Sequence, residues 1–179
     1  LRRIEGRPLG SKRFRFILTS CMDASHDREQ DTIWRSIGQD DPDYLFLLGD
    51  NVYATKVLNP GERALDAQRL ALQYLAMRRR LELYRLPKLI PTLAIWDDHD
   101  FGMNDGDRSN PHRAKAKDVF HLFFAQPQRD KILQRGPENA AVFTAYNMQI
   151  FLLDNRSQRQ PNGTDPGEFA HWGAPQEQW

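Results

Sequence analysis

Two short unbroken apolar runs, Tyr44–Leu48 and Thr92–Trp96, constrain this chain most. Each has the length of a strand and no polar alternation, the pattern of strands buried on both faces of a parallel sheet. A third strand is expected over Arg13–Thr19, where Phe14, Phe16 and Leu18 alternate with Arg13, Arg15 and Ile17. Helical spacing separates the three. Asp27–Ile37 places Ile33, Trp34 and Ile37 on one face. Gly61–Leu86 repeats Leu70, Tyr74, Met77, Leu81 and Tyr84 at intervals of four and three until Pro87 stops it. Strand, helix, strand, helix, strand predicts an α/β protein with a parallel core.

Beyond that core, Asp97–Asn110 reads as a polar loop. Arg113–Ala125 reads as a helix with Ala116, Val119, Phe120, Phe123 and Phe124 turned inward. Ala141–Tyr146 and Gln149–Leu153 predict an antiparallel pair joined at Asn147-Met148, and Gln160–Gly173 another loop. No final element is evident before Trp179. The expected organisation is a lead-in over 1–12, then the N-terminal portion of a longer catalytic domain over 13–179.

Several classes are excluded. The 179 residues carry 25 Lys+Arg against 24 Asp+Glu, a net charge of +1, which gives no support to a polybasic nucleic-acid binder. No apolar run approaches the roughly 18–20 residues that a membrane helix requires. The single cysteine, Cys21, rules out an intrachain disulfide. Phosphate-loop, nucleophile-elbow and Cys-x-x-Cys patterns are all missing from the sequence.

What remains is positional. Each predicted strand ends in a residue able to bind a hard or borderline metal: Cys21 after the first, Asp50 after the second, Asp97-Asp98-His99-Asp100 after the third, and Asp154 after the last. Ligands in open α/β sheets collect beyond the carboxyl ends of the strands. Parallel strands lie about 4.8 Å apart, so these loops can converge on one or two cations. Gly49 permits a sharp exit before Asp50, whose carboxylate has two oxygens and can bridge two ions. Tyr53 would add a phenolate if one ion is trivalent.

In the Asp97–Asp100 cluster, four polar residues after an apolar strand are expected to have no packing role. Asp98 is placed on the metal, with His99 either on it or just behind it, able to donate to a phosphoryl oxygen or protonate a leaving oxygen. Cys21 reads two ways, as a small hydrophobe or as a thiolate ligand. Asn104 and Asp105 share the His99 loop and are candidates for substrate contact. Arg156 and Arg159 would either clamp phosphate or pin their loop to a carboxylate. Arg78-Arg79-Arg80 reads as a solvated helix face, and His121 as a partly buried structural residue.

In order and spacing, Ser20-Cys21, Gly49-Asp50-Asn51-Val52-Tyr53, Trp96-Asp97-Asp98-His99-Asp100-Phe101-Gly102-Met103-Asn104-Asp105 and Leu153-Asp154-Asn155-Arg156-Ser157-Gln158-Arg159 resemble the alkaline phosphatase D family, calcineurin-like metallophosphoesterases related in site design to purple acid phosphatases. The Trp-Asp-Asp-His-Asp stretch is the most specific of these. The resemblance runs from about Phe14 to Trp179. It implies a four-layer α/β sandwich, a binuclear centre of iron with calcium (zinc or manganese being the alternatives), and hydrolysis of phosphate monoesters or diesters. It assigns Cys21, Asp50 and Tyr53 to the iron-like ion, Asp50 as the bridge, Asp98 to the second ion, and His99 to the phosphate. It also implies export to the periplasm or the extracellular space. The family's late Gly-Asp-x-His motif lies downstream of its Gln-x-x-Trp region, and this sequence stops within Gln176-Glu177-Gln178-Trp179. The residues present therefore cannot complete two coordination spheres. The native protein is expected to be longer, or the fragment not to be a competent enzyme.

The expected chemistry is in-line attack on phosphorus by a metal-activated hydroxide, on a small-molecule or lipid-headgroup ester. The rival from another class is a metal-binding or interaction fragment without turnover.

Overall fold

The computed structural model describes residues 13–125, 132–164, 167 and 171–179; the lead-in over 1–12 lies outside them. It is a mixed α/β structure. Strands β1 (Phe16–Thr19), β2 (Tyr44–Leu48) and β3 (Thr92–Ile95) form a parallel sheet in that order. Helix α1 (Asp27–Gln39) follows β1, and α2 (Ala67–Arg80) lies between β2 and β3. The register pairs Phe16 with Tyr44 and Leu48 with Ile95. The central strand owes its unbroken apolar run to burial on both sides: Leu45, Phe46 and Leu47 are all fully buried.

β1 begins at Phe16 rather than Arg13. Arg15 is instead tied to the turn before β2, donating its N–H to Asp43 Oδ2 at 2.7 Å and accepting from Asp43 N–H at 2.7 Å. Phe14 leaves the ladder and stacks on Tyr146, ring centroids 4.4 Å apart. On this edge strand Phe16 and Leu18 remain exposed.

α2 is shorter than its apolar repeat predicts. Asp66 caps its N-terminus by accepting from Arg69 N–H. The chain turns extended at Leu81, and Glu82–Arg85 continue as a 3-10 turn. The inward set Leu70, Tyr74, Met77 and Leu81 is buried as the spacing predicts. On α1, Trp34 and Ile37 are buried while Ile33 faces solvent. The expected loop after β3 opens with one helical turn, α3 (Asp98–Phe101). Helix α4 (Arg113–Phe124) buries Ala116 and Phe120, and Phe120 meets Trp96 edge-on at 5.7 Å.

A second sheet, antiparallel, contains β4 (Leu133–Arg135), β5 (Ala141–Ala145) and β6 (Met148–Leu152). The β5–β6 turn falls at Tyr146-Asn147, one residue earlier than expected. Both residues have positive φ, 54° and 60°, as a two-residue hairpin turn demands. β4 is additional to the predicted strands, because three residues of Leu-Gln-Arg carry no periodic signal; pairing to β5 defines it. A last turn of helix, α5 (Ala174–Glu177), is likewise additional. The sheets meet through aromatic rings, with Phe143 4.8 Å from Tyr44 and 5.4 Å from Phe46. Side chains alternate along a strand, so Leu45 and Leu47 point to the opposite face. Among the described residues no helix is long and apolar enough to cross a membrane.

Candidate metal centre

The site is assembled where β1, β2 and β3 end. Beyond the ladder, Cys21 N–H donates to Gly49 O at 3.1 Å and Met22 N–H to Asp50 O at 2.7 Å, which draws the first loop against the second. Cys21 and Asp50 both sit in left-handed backbone, φ 63° and 50°. Non-glycine residues held there cost about 1–3 kcal/mol, and such strain concentrates at functional sites. Gly49, at φ 109°, allows the second loop to cross the third. A Cβ on it would lie 2.6 Å from Asp97 Cβ and 3.3 Å from the Trp96 carbonyl carbon.

Asp100 locks the second loop to the third. Its buried carboxylate accepts from Asn51 N–H at 3.1 Å, Asp97 N–H at 3.0 Å and the Tyr74 hydroxyl at 2.7 Å. Burial pushes this carboxyl up to about 7, against the downward pull of those donors. Asp97 and Asp100 also form the reciprocal N-terminal cap of α3. The expectation that this acidic run has no packing role is thus corrected: Asp100 is fully buried structure, and Asp97 is a cap.

The convergence brings Asp50, Asp98 and His99 together, with one donor atom of each within 4.8 Å of the others. Cys21 Sγ lies 4.0 Å from Asp50 Oδ2, and the Tyr53 ring lies 4.4 Å from the His99 ring. The five residues that the family resemblance assigns to the metals and the phosphate therefore occupy one neighbourhood. Asp98 is oriented by Asp105 N–H, which donates to its Oδ2 at 2.8 Å. Arg156 is largely buried: its Nε pairs with Asp97, its NH1 donates to Gly106 O at 3.3 Å, and its NH2 lies 4.0 Å from Asp98 Oδ1. It pins the loop, and one nitrogen faces the acidic pair. Asn104 is exposed, with its amide held on Asp105 at 2.9 Å. Arg159 reaches Asn162 at 3.1 Å, away from the cluster.

The electrostatics are compatible with a cation. Burial, then the neighbouring Asp98 charge, pushes the Asp50 carboxyl up to about 6, with His99 opposing. Asp50 Oδ1 is buried without a hydrogen-bond partner. Burial also raises the Tyr53 phenol, helped by its contact with Cys21 and the charge of Asp50. Two carboxylates, an imidazole, a thiol and a phenol around an unpartnered carboxylate oxygen suit a hard or borderline metal, and the residues present fit such an ion.

Asp154, expected as a ligand-bearing strand end, has a different role. It accepts from Trp96 Nε1, Arg156 N–H, Asn139 N–H, and both the N–H and hydroxyl of Ser157, at 2.7–3.0 Å. Five donors saturate it, and Gln176 clamps its backbone from α5. Thr55 is a site residue that sequence reasoning does not find. Its hydroxyl hydrogen-bonds His99 Nδ1, yet nothing in Ala54-Thr55-Lys56 marks it in the sequence. His121 is held by Asn139 at 2.7 Å, the structural role expected of it.

The chain is thus a mixed α/β protein whose chemistry-bearing residues gather at the carboxyl ends of a parallel sheet. More particularly, its fold is PhoD-like: it is similar to a solved structure described as "Structure of PhoD", with a TM-score of 0.68 and 21% identity over 93% of this chain and 38% of that one. The likeness is one of fold, and it agrees with the alkaline phosphatase D resemblance of the motifs. The chain spans well under half of that protein's length. No family model and no curated protein matches the chain.

Proposed function

We propose that this chain carries part of the active site of a metal-dependent phosphate ester hydrolase, acting on monoesters or diesters. The convergence of Asp50, Asp98 and His99 carries the reading, with Cys21 and Tyr53 against them. In this reading Cys21, Asp50 and Tyr53 hold one ion, and Asp50 and Asp98 the second; iron with calcium is the proposed pair. The chain is read as the N-terminal portion, over 13–179, of a four-layer sandwich whose remaining ligands lie elsewhere; its cover of 38% of the PhoD chain is in keeping with a part of a larger fold. When bound, such ions supply Lewis acidity toward a phosphoryl group and acidify water.

The chain's own residues would do the rest. Thr55 occupies Nδ1 of His99 and leaves the other ring nitrogen for a substrate oxygen. With the hydroxyl donating to Nδ1, Nε2 carries the ring proton and can offer it to a phosphoryl or leaving oxygen. Arg156 NH2, beside Asp98, is placed to neutralise charge on the same group.

The direct experiment uses the longest native form of the protein. Chelation should abolish hydrolysis of a test monoester and diester, and added metal should restore it. Metal binding with no turnover of either ester would favour the binding-fragment reading. A second result is expected at Thr55. Thr55→Val should lower kcat about 10–100-fold with KM little changed, the scale seen for residues that orient a site histidine. Thr55→Ser should recover most of the loss; equal losses in both variants would remove Thr55 from the mechanism.

A further inference from the structure

An open hollow of about 480 Å³ is lined by Arg108, Arg113, Ser109, Gln160 and Thr164 among others, with no carboxylate among the described residues of its wall. It is built from the loop after β3, which carries Asp98 and His99, from the loop after β6, which carries Arg156, and from the start of α4. Arg108 lies two residues after Gly106, whose carbonyl accepts from Arg156. Ser157 and Gln158, also in the wall, follow Arg156 directly. Arg108 N–H donates to Arg159 O at 3.0 Å, tying the two loops together at the cavity. Arg113 is fixed from α4, its NH1 donating to Arg108 O at 2.7 Å.

Neither guanidinium is paired with a carboxylate among the described residues. Ser157 is spent on Asp154, Thr164 donates its hydroxyl to Pro161 O at 2.7 Å, and Gln158 reaches out to Glu138, so the donors left in the wall are the two arginines with Ser109 and Gln160. Two cations with two neutral donors around one hollow favour an anion. Planar guanidiniums recognise phosphate oxygens in pairs.

We propose that this cavity is a second anion subsite, which takes a phosphate group carried on the substrate apart from the scissile ester. The substrate part rests on the phosphoesterase reading; anion binding itself does not. The enzyme would thus prefer esters bearing two phosphates over those bearing one.

Two arms test this. In the first, inorganic phosphate and pyrophosphate are titrated by calorimetry into chelator-treated, metal-free protein, so that the metal centre does not contribute. Wild type should bind, and Arg108→Gln with Arg113→Gln should weaken binding by about tenfold or more. An Arg78→Gln control on the exposed end of α2 should change nothing. Absence of binding, or equal binding by wild type and the double variant, would overturn the subsite. In the second arm, metal-loaded protein is assayed with one alcohol's monophosphate and with its bisphosphate. KM should be lower for the bisphosphate, the gap should close in the double variant, and turnover of the monophosphate should be unchanged. A gap that survives the double substitution would overturn the substrate assignment. Phosphate binding that depends on the arginines, without turnover of any ester, would strike the phosphoesterase reading and leave the anion subsite standing.

Discussion

Asp50→Asn is expected to abolish metal binding and hydrolysis while the fold survives. The amide keeps the side chain's size at a half-buried position but removes the negative charge that a bridging ligand needs. The variant should also separate metal binding from stability. In the metal-free protein Asp50 is burdened by burial and by Asp98, with its carboxyl pushed up to about 6. A folded value above the ordinary carboxylate range means that folding favours the proton. Stability is then fully present below pH about 4 and is lost as pH rises through about 6. The amide of the variant has no proton to lose in this range, so the metal-free variant should lack that decline and match or exceed wild type near neutral pH. Metal should stabilise wild type only, and apparent affinity should climb as pH passes about 6, because the cation displaces Asp50's proton. Thermal unfolding from pH 4 to 8, with and without metal, measures all of this. Metal binding and activity at wild-type levels in Asp50→Asn would sink the assignment.

Asp154→Ala should be the most destabilising change in the chain, costing about 3–5 kcal/mol. Removing the carboxylate strands Trp96 Nε1 and three backbone N–H groups in a region where Asp154 is only 2% exposed. Each orphaned donor costs about 1–3 kcal/mol, partly recovered by relaxation. Asp154→Asn keeps one acceptor oxygen and should lose roughly half as much. Denaturant midpoints at constant slope would measure the difference. A loss below about 1 kcal/mol for the alanine variant would show that the hub does not hold β3, β6 and α5 together.

The parallel core was legible because it depends on periodicity. Leu45–Leu47 read as buried on both faces since no polar side chain interrupts them, and β2 spans the predicted residues. Helix ends were less legible. The apolar repeat runs past Leu81, but the Asp66 cap and the extended backbone at Leu81 set the limits of α2. β4 had no signal of its own because its ladder partner lies in β5.

At the site, the sequence alone determined which side chains have the chemistry to bind a cation and that they follow strands: Cys21, Asp50, Tyr53, Asp98 and His99, and equally Asp97, Asp100 and Asp154. Those properties are local, since a residue type carries its own chemistry and an apolar run declares its strand. Tertiary structure decided which acids are free to act. Asp50, Asp98, Asp100 and Asp154 look alike in sequence, yet Asp100 and Asp154 are saturated by donors from distant segments while Asp50 keeps a buried oxygen without one. It also placed Thr55 on His99 and two arginines around one hollow. A carboxylate's role depends on the groups that surround it in space, and pairings across 15 to 59 residues leave no mark on the local pattern.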